Sequence, residues 1–426
     1  MSAVPEPRLV LPFEDARHVV EERAAGLRPA GTEKVDLLKS AGRVLAESIH
    51  ADRDFPPFPR AARDGYAVRA SDLIHLPATL EVIAEIRAGA APEELPKRVE
   101  SGEAVAIMTG APAPPGTDGV VMVEYTKRKQ DYVEITRGIR VGDNIVPTGS
   151  EAHKGDLLLA PGTRLTEAAI AVAASVGKAD LQVYTKPKVA VLSTGDEVVA
   201  IVAQPGPNQI RNSNSYSLAA QILAAGAEPV LLPIAPDEPN KLSALIRQGL
   251  QYDLLLLAGG VSMGKYDLVE EVMARLEAGF FFTGAQIQPG RPIVFGVAPA
   301  SPPATRGASG TAGNSKYFFG LPGNPVSTMV TFDLFVRPVI DALAGLAPRK
   351  LVFLHARLKT EIKTKTGLKR FLPAILSGEF ERAEVELAGW HGSGDIATTA
   401  RSNCYIVIPP DRDRIPAGEW VPVLLR

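Results

Sequence analysis

The chain has 426 residues, 46% hydrophobic and 22% charged, the balance of a globular protein of about three domains. A net charge of −2 gives no overall electrostatic footprint for nucleic acid, and no apolar run approaches the roughly 20 residues that span a bilayer. The one cysteine, Cys404, excludes an intramolecular disulfide and a cysteine-rich metal site; MSAVPEPRLV carries no secretory pattern, so the cytoplasm is the expected compartment.

Residues Phe13 to Leu27 place Ala16, Val19, Val20 and Ala24 at helical spacing. Val35 to Leu38 reads as extended, and Ser40 to Ser48 predicts a second short helix. The prolines of Asp52 to Pro59 rule out a regular element and mark a boundary. From Gly65 to Thr148, short alternating runs such as Leu80–Ile86 and Val120–Glu124 lie between turn signals, which predicts an all-β insert. Glu167 to Val176 returns to helical spacing, with Gly177 as its stop. That segment is expected to join the N-terminal helices in a small split helical domain.

Beyond Leu181 strands and helices alternate. Val189–Leu192 precedes a helix at Tyr216–Ala225, Val230–Ile234 one at Asn240–Gly249, and Leu254–Leu257 one at Leu268–Leu276. Phe318–Phe319 precedes a long helix from Pro325 to about Leu343. This alternation predicts a parallel sheet covered on both faces, a central three-layer α/β domain. Pro299–Ser315 is rich in Pro, Gly, Ser and Ala and reads as a surface loop. The strand candidates Val352–Leu358, Phe371–Leu376, Val385–Leu387, Tyr405–Ile408 and Trp420–Leu425 predict a small C-terminal β barrel or sandwich. The expected domains are therefore 1–52 with 149–180, then 53–148, 181–347 and 348–426.

Open parallel sheets bind ligands beyond the carboxyl ends of their strands. The loops expected there are Ser193-Thr194-Gly195-Asp196-Glu197, Ala235-Pro236-Asp237-Glu238, the stretch from Gly259 and Gly260 through Ser262 and Lys265 to Asp267, and Gly320-Leu321-Pro322-Gly323-Asn324-Pro325. Glycines permit close backbone approach, and a helix start, with Asn324 as N-cap and Pro325 at the first position, supplies free N–H groups for an anion. Neither glycine loop is a Walker or Rossmann fingerprint, so motif grammar leaves phosphate cradles and plain tight turns both open. Taken singly, Glu197 or Asp237 reads as a helix-terminal acid. Asp196, Glu197, Asp237 and Asp267 together would repel one another unless a hard cation such as Mg²⁺ sat between them, which points to metal-assisted phosphate chemistry. Arg63-Asp64-Gly65-Tyr66, Met108-Thr109-Gly110-Ala111-Pro112 and His391-Gly392-Ser393-Gly394-Asp395 read, by residue type alone, as a hairpin turn, a strand end and a flexible loop.

DGYAV at Asp64, MTGAP at Met108, STGDE at Ser193, GGVSMG at Gly259, QPGRP at Gln288 and GLPGNPVS at Gly320 occur in one order. The ordered set resembles the molybdopterin molybdotransferase family, called MoeA in bacteria and the gephyrin E domain in animals, over nearly the whole chain. The resemblance implies a homodimer with its active site at the subunit interface. It also implies a reaction: adenylylated molybdopterin is bound, its phosphoanhydride is cleaved, molybdate is transferred to the dithiolene sulfurs, and AMP leaves. Mg²⁺ or Zn²⁺ assists. By the same resemblance Asp64, Thr109, Glu197, Asp237 and Asp267 are catalytic, with Glu197, Asp237 and Asp267 holding the metal. Ser393 is expected by the resemblance to bind substrate, and Ser193, Thr194, Gly195, Gly259, Gly260, Ser262, Pro322, Gly323, Asn324 and Pro325 from the cradle chemistry of their loops, with Arg291 expected to contact the oxyanion through its guanidinium. Family members often carry Asp at Glu151, Lys at Gly284, Lys at Arg291 and Arg at Pro373, and either Lys or Gln at Gln288. Candidate partners are a molybdopterin adenylyltransferase and the molybdoenzymes that accept the cofactor. Two other readings are an adenylyltransferase acting on molybdopterin and a non-enzymatic protein that binds and delivers the cofactor.

Overall fold

The apolar run Val189–Leu192 forms the middle of strand β1 (Lys188–Ser193) in the computed structural model, which describes residues 9–260, 268–300, 315–347 and 350–426. The chain divides into two units. One comprises Met1–Ala46, Gly162–Thr166 and Asp180–Arg426; the other comprises Glu47–Pro161 and Glu167–Ala179.

In the larger unit β1 is followed by α1 (Ser213–Ala224), β2 (Glu228–Leu231), α2 (Pro239–Gly249), β3 (Leu254–Ala258), α3 (Leu268–Arg275), β4 (Gly279–Phe282), β5 (Val294–Pro299) and β6 (Ser315–Leu321). Two helical stretches, α4 (Pro325–Thr331) and α5 (Arg337–Leu343), follow, joined by a π turn at Phe332–Val336. The sheet order is β2-β1-β3-β6-β5-β4. The first four strands are parallel; β5 and β4 add antiparallel pairs at one edge, so the sheet is mixed, and those two strands were not foreseen from the sequence. Alternation within the buried strands feeds two cores. Val189, Val191, Leu254 and Leu256 pack with Leu218 and Ile222 of α1. Ala190, Leu192, Leu255 and Leu257 pack with Leu242 and Ile246 of α2 on the other face. A strand buried on both faces needs such a continuous apolar run.

The C-terminal segment closes on itself. Strands β7 (Phe353–Leu358), β8 (Lys369–Ser377), β9 (Glu384–Leu387), β10 (Cys404–Ile408) and β11 (Trp420–Leu425) run in the order β8-β9-β7-β11-β10, and the β8–β10 pairing completes a five-stranded barrel. Phe371 of β8 and Tyr405 of β10 point out of the barrel into the first α/β core, beside Phe13 of the N-terminal helix Phe13–Ala25.

The short helix expected at Ser40–Ser48 is absent. A 3-10 turn occupies Leu38–Ser40, and the following backbone is drawn into long-range bonds: Gly42 donates to Leu165, Leu45 to Thr163 and Ala46 to Gln182. Tertiary pairing outweighs the weak helical spacing there. The stretch 301–314 of the Pro299–Ser315 loop lies outside the described residues.

The smaller unit carries a six-stranded sheet built from Gly65–Val68, Ala78–Ile86, Glu103–Ile107, Gly119–Met122, Thr126–Lys129 and Tyr132–Ile135. Separate apolar clusters cover its two faces, one around Val105 and Ile107, the other around Tyr66 and Val121. The helix Glu167–Ser175 belongs to this unit.

Candidate active site

Strand register places the loops. Ser193 pairs with Ala258, and Ala258 with Leu321, so three strands end side by side at one level. A bridge between Thr194 and Ala235 brings in the loop after β2. The residues that follow these ends therefore share one edge of the sheet.

Ser193 is buried and works within the fold. Its Oγ donates to Asn212 Oδ1 at 3.1 Å and lies 2.8 Å from Ser215 Oγ. Asn212 caps α1, its side chain accepting from the Ser215 amide at 3.1 Å. This network ties the end of β1 to the start of α1. Sequence reasoning missed Asn212, Asn214 and Ser215, although Asn-Ser-Asn-Ser before a helical run is an N-cap signature.

Thr194 is 4% exposed, and its hydroxyl has no hydrogen-bond partner among the described residues. It sits beneath the glycine loop. A Cβ on Gly259 would lie 2.9 Å from Thr194 O, and one on Gly260 would lie 2.8 Å from Thr194 Oγ1 and 2.6 Å from Val269 Cγ2. Both glycines have positive φ, +96° and +68°. The second glycine loop touches the first: a Cβ on Gly323 would lie 3.6 Å from Gly259 Cα. Asn214 of α1 donates to Gly323 O at 2.8 Å, while its own Oδ1 is buried and unpartnered among the described residues. Two orphaned polar atoms beside two abutting glycine turns make a site able to accept a polar ligand against backbone.

The acids gather at the same edge. Asp196 Oδ1 accepts from the Asp237 amide at 3.1 Å. The Asp237 carboxyl is pushed above the ordinary range, first by burial, then by the negative charges of Asp196 and Glu197, while a backbone bond from Asp196 pulls the other way. Such oxygen donors suit a hard divalent cation. Among the described residues no three metal-capable side chains converge. Asp267, the third metal ligand expected, and Ser262 and Lys265 lie outside the described residues.

Asn324 occupies the N-cap position of α4 with Pro325 first in the helix, but its side chain makes no cap bond and is exposed. Thr328 instead bonds to the carbonyls of Pro322 and Asn324. Ser393, on the loop after β9, enters through its backbone: its carbonyl accepts from the Val326 amide at 3.0 Å. Asp395 caps the next helix, Ile396–Arg401, and backbone bonds from Thr398, with His391 adding to them, lower its carboxyl to about 2. The Gln288–Arg291 turn rests on α4, since a Cβ on Gly290 would lie 2.4 Å from Thr331 Cγ2. Arg291 is exposed and forms no ion pair among the described residues.

In the smaller unit Asp64 and Thr109 are brought together. Asp64 Oδ1 accepts from Thr109 N at 2.6 Å and Thr109 Oγ1 at 2.8 Å. These bonds hold its carboxyl below the usual range.

Residues 11–177 match the MoeA N-terminal region (domain I and II), residues 190–342 a probable molybdopterin binding domain, and residues 355–425 the MoeA C-terminal region (domain IV). A molybdopterin molybdenumtransferase of Nostoc sp. is 36% identical over 404 residues, 92% of this chain and 88% of the relative. This chain belongs to the molybdopterin molybdenumtransferase family. The Bacillus subtilis molybdopterin molybdenumtransferase is 34% identical over 431 residues, covering 99% of this chain and 95% of its own length. The crystal structure of the molybdopterin biosynthesis MoeA protein from Pyrococcus horikoshii OT3 superposes with a TM-score of 0.75 at 28% identity, over 98% of this chain and 100% of that one.

The departures from the family pattern have structural settings. Glu151 pairs with Arg60 at 2.9 Å. Gly284 lies beside Val10 in strand register; a Cβ there would meet Val10 Cγ2 at 3.0 Å, so a side chain needs Val10 to give by a few tenths of an ångström. Pro373 faces Tyr405 across β8 and β10. Arg370 is 5% exposed and donates to Leu368 O.

Proposed function

We propose that this chain is a transferase of molybdenum cofactor biosynthesis that inserts molybdate into adenylylated molybdopterin and releases AMP. The observation that carries this is the common level of Ser193, Ala258 and Leu321, which gathers the STGDE, glycine and PGNP loops in a chain alike its relatives almost end to end. The glycine turns let the substrate phosphates approach the backbone. The unpartnered Thr194 Oγ1 and Asn214 Oδ1 support this reading as binding groups for ligand polar atoms. Glu197 and Asp237, with Asp267, would hold Mg²⁺ or Zn²⁺, which supplies neutralisation of phosphate charge. Within the smaller unit Asp64 and Thr109 are assigned catalytic roles, and Ser393 in the larger unit is assigned to substrate binding.

We further assign a homodimer working in the cytoplasm, with the four-domain scheme set out above. No described helix is long and apolar enough to cross a membrane. The test mixes purified protein with adenylylated molybdopterin, Mg²⁺ and molybdate and follows AMP. AMP release that depends on molybdate supports the reading. Tight cofactor binding without AMP release indicates a delivery protein instead, and consumption of ATP with free molybdopterin indicates an adenylyltransferase.

A further inference from the structure

We propose that Asp333 is a positioning residue: through Gln221 and Tyr405 it seats the barrel against α4 and thereby holds the Ser393 loop on the first turn of that helix. The inference rests on the reading of this edge of the sheet as the active site.

Asp333 lies in the π turn between α4 and α5. A π turn interrupts the regular ladder and re-aims a side chain, and such turns are frequent at functional sites. One carboxylate oxygen accepts from Gln221 Nε2 of α1 at 2.9 Å, and the other from the Tyr405 hydroxyl of β10 at 3.2 Å. Gln221 Nε2 also donates to Met329 O at 3.1 Å, inside α4. A single carboxylate thus joins the α/β layer, the helix after the PGNP loop and the barrel. Apolar packing is non-directional, so the surrounding phenylalanines alone do not fix the barrel's position along the helix. A directional acceptor held by donors from two elements does.

Arg426 extends the link. Its guanidinium lies 5.5 Å from the centre of the Tyr405 ring, and its Nη1 donates to Thr399 O at 2.7 Å and Ser402 Oγ at 3.0 Å. Thr399 belongs to the helix that Asp395 caps, two residues beyond Ser393. Ser393 O then reaches Val326 N. Burial raises the Asp333 carboxyl, while Gln221, Arg426, Tyr405 and Arg337 favour its charged form. Cys404, also buried, adjoins Tyr405.

Val326 offers a direct readout. As the second residue of α4 its amide has no partner within the helix. Its protection from hydrogen exchange therefore reports the Ser393 contact. The experiment uses the full chain carrying Tyr405→Phe, with Arg426→Gln as the second variant, and measures site-resolved exchange together with KM and kcat for AMP release. Val326 exchange should rise roughly fivefold or more in Tyr405→Phe, as expected for losing a buried side-chain hydrogen bond, with KM for adenylylated molybdopterin rising in step. Exchange in β1 and β3 should stay as in the wild type. Wild-type protection of Val326 in both variants overturns the proposal. So does equal acceleration in β1, β3 and Val326, which would mark the network as a general stabiliser. If the wild type releases no AMP, the functional reading fails, while the exchange result still decides the role of Asp333.

Discussion

Thr109 grips a single oxygen of Asp64 with both its amide and its hydroxyl, at 2.6 and 2.8 Å. Among the described residues neither bond uses the second carboxylate oxygen. The Asp64 carboxyl is held down from 3.8 by these bonds, the amide's first. Its stabilising contribution is present above pH 3.8 and is lost as pH falls through the lowered folded value. Thr109→Val removes the hydroxyl and keeps the amide and the shape. The Asp64 midpoint, followed by carboxyl-carbon NMR, should then move up towards 3.8 without reaching it, and AMP release should fall about tenfold. An unchanged midpoint would show that the hydroxyl bond does not persist in solution.

Asp237 has the opposite sign. Its carboxyl is raised by burial and by the charges of Asp196 and Glu197. The folded state binds this proton more tightly than the unfolded chain, so its contribution is present below pH 3.8 and is lost as pH rises through the raised folded value. In metal-free buffer, Asp237→Asn should lose less stability than the wild type between pH 3.5 and pH 7, both taken as roughly bracketing values. Saturating Mg²⁺ should raise the wild-type Tm at neutral pH more than that of the variant. Equal Mg²⁺ shifts in the two proteins would remove Asp237 from the metal site. Glu197→Gln and Asp267→Asn are expected to abolish AMP release with the fold intact, since each removes a charge at nearly constant volume.

Gly259 tests the cradle. Its φ of +96° is one that side chains rarely adopt, and an added methyl would press on Thr194 O at 2.9 Å. Gly259→Ala should cost about 1–3 kcal/mol of stability from backbone strain. Loss of substrate affinity should exceed what Gly42→Ala causes, because Gly42 also has positive φ, +75°, but opens to free space. Comparing denaturant midpoints and substrate affinity for the two variants separates strain from lost approach.

The strands of the α/β core were legible because burial on both faces demands continuous apolar runs, and Val189–Leu192 and Leu254–Leu257 are such runs. Gly279–Phe282 and Val294–Pro299 escaped notice because their antiparallel edge position has no intervening helix to mark it. Ser40–Ser48 misled because three or four spaced apolar residues do not outweigh bonds to Thr163 and Gln182, which lie far along the chain. The STGDE acids drew attention through their chemistry. Asn212, Ser215 and Asp333 did not, because neutral caps and a lone acid within an apolar helix look ordinary until the partner strand is in place.

Arg291 carries the last prediction. Molybdate is a dianion, and enclosing it with a phosphorylated substrate without positive partners is costly. Gly284, Gln288 and Pro373 supply no cation, and a side chain at Gly284 would press on Val10. Arg291 remains exposed, without an ion-pair partner among the described residues, on a turn that rests against α4 at Thr331, about two helical turns beyond Asn324. A guanidinium can grip an oxyanion with two N–H groups. Arg291→Ala should therefore raise the molybdate concentration for half-maximal AMP release by about tenfold or more, since a hydrogen bond to a charged group contributes roughly 1.5–3 kcal/mol. Arg291→Lys should recover only part of that, because an ammonium is a point charge and cannot make the paired contact. The adenylylated substrate's own KM should move less than the molybdate dependence if the contact is to the oxyanion. A molybdate dependence unchanged in Arg291→Ala would leave Arg291 as a turn residue and send the search for the anion's partner to Lys265 on the glycine loop.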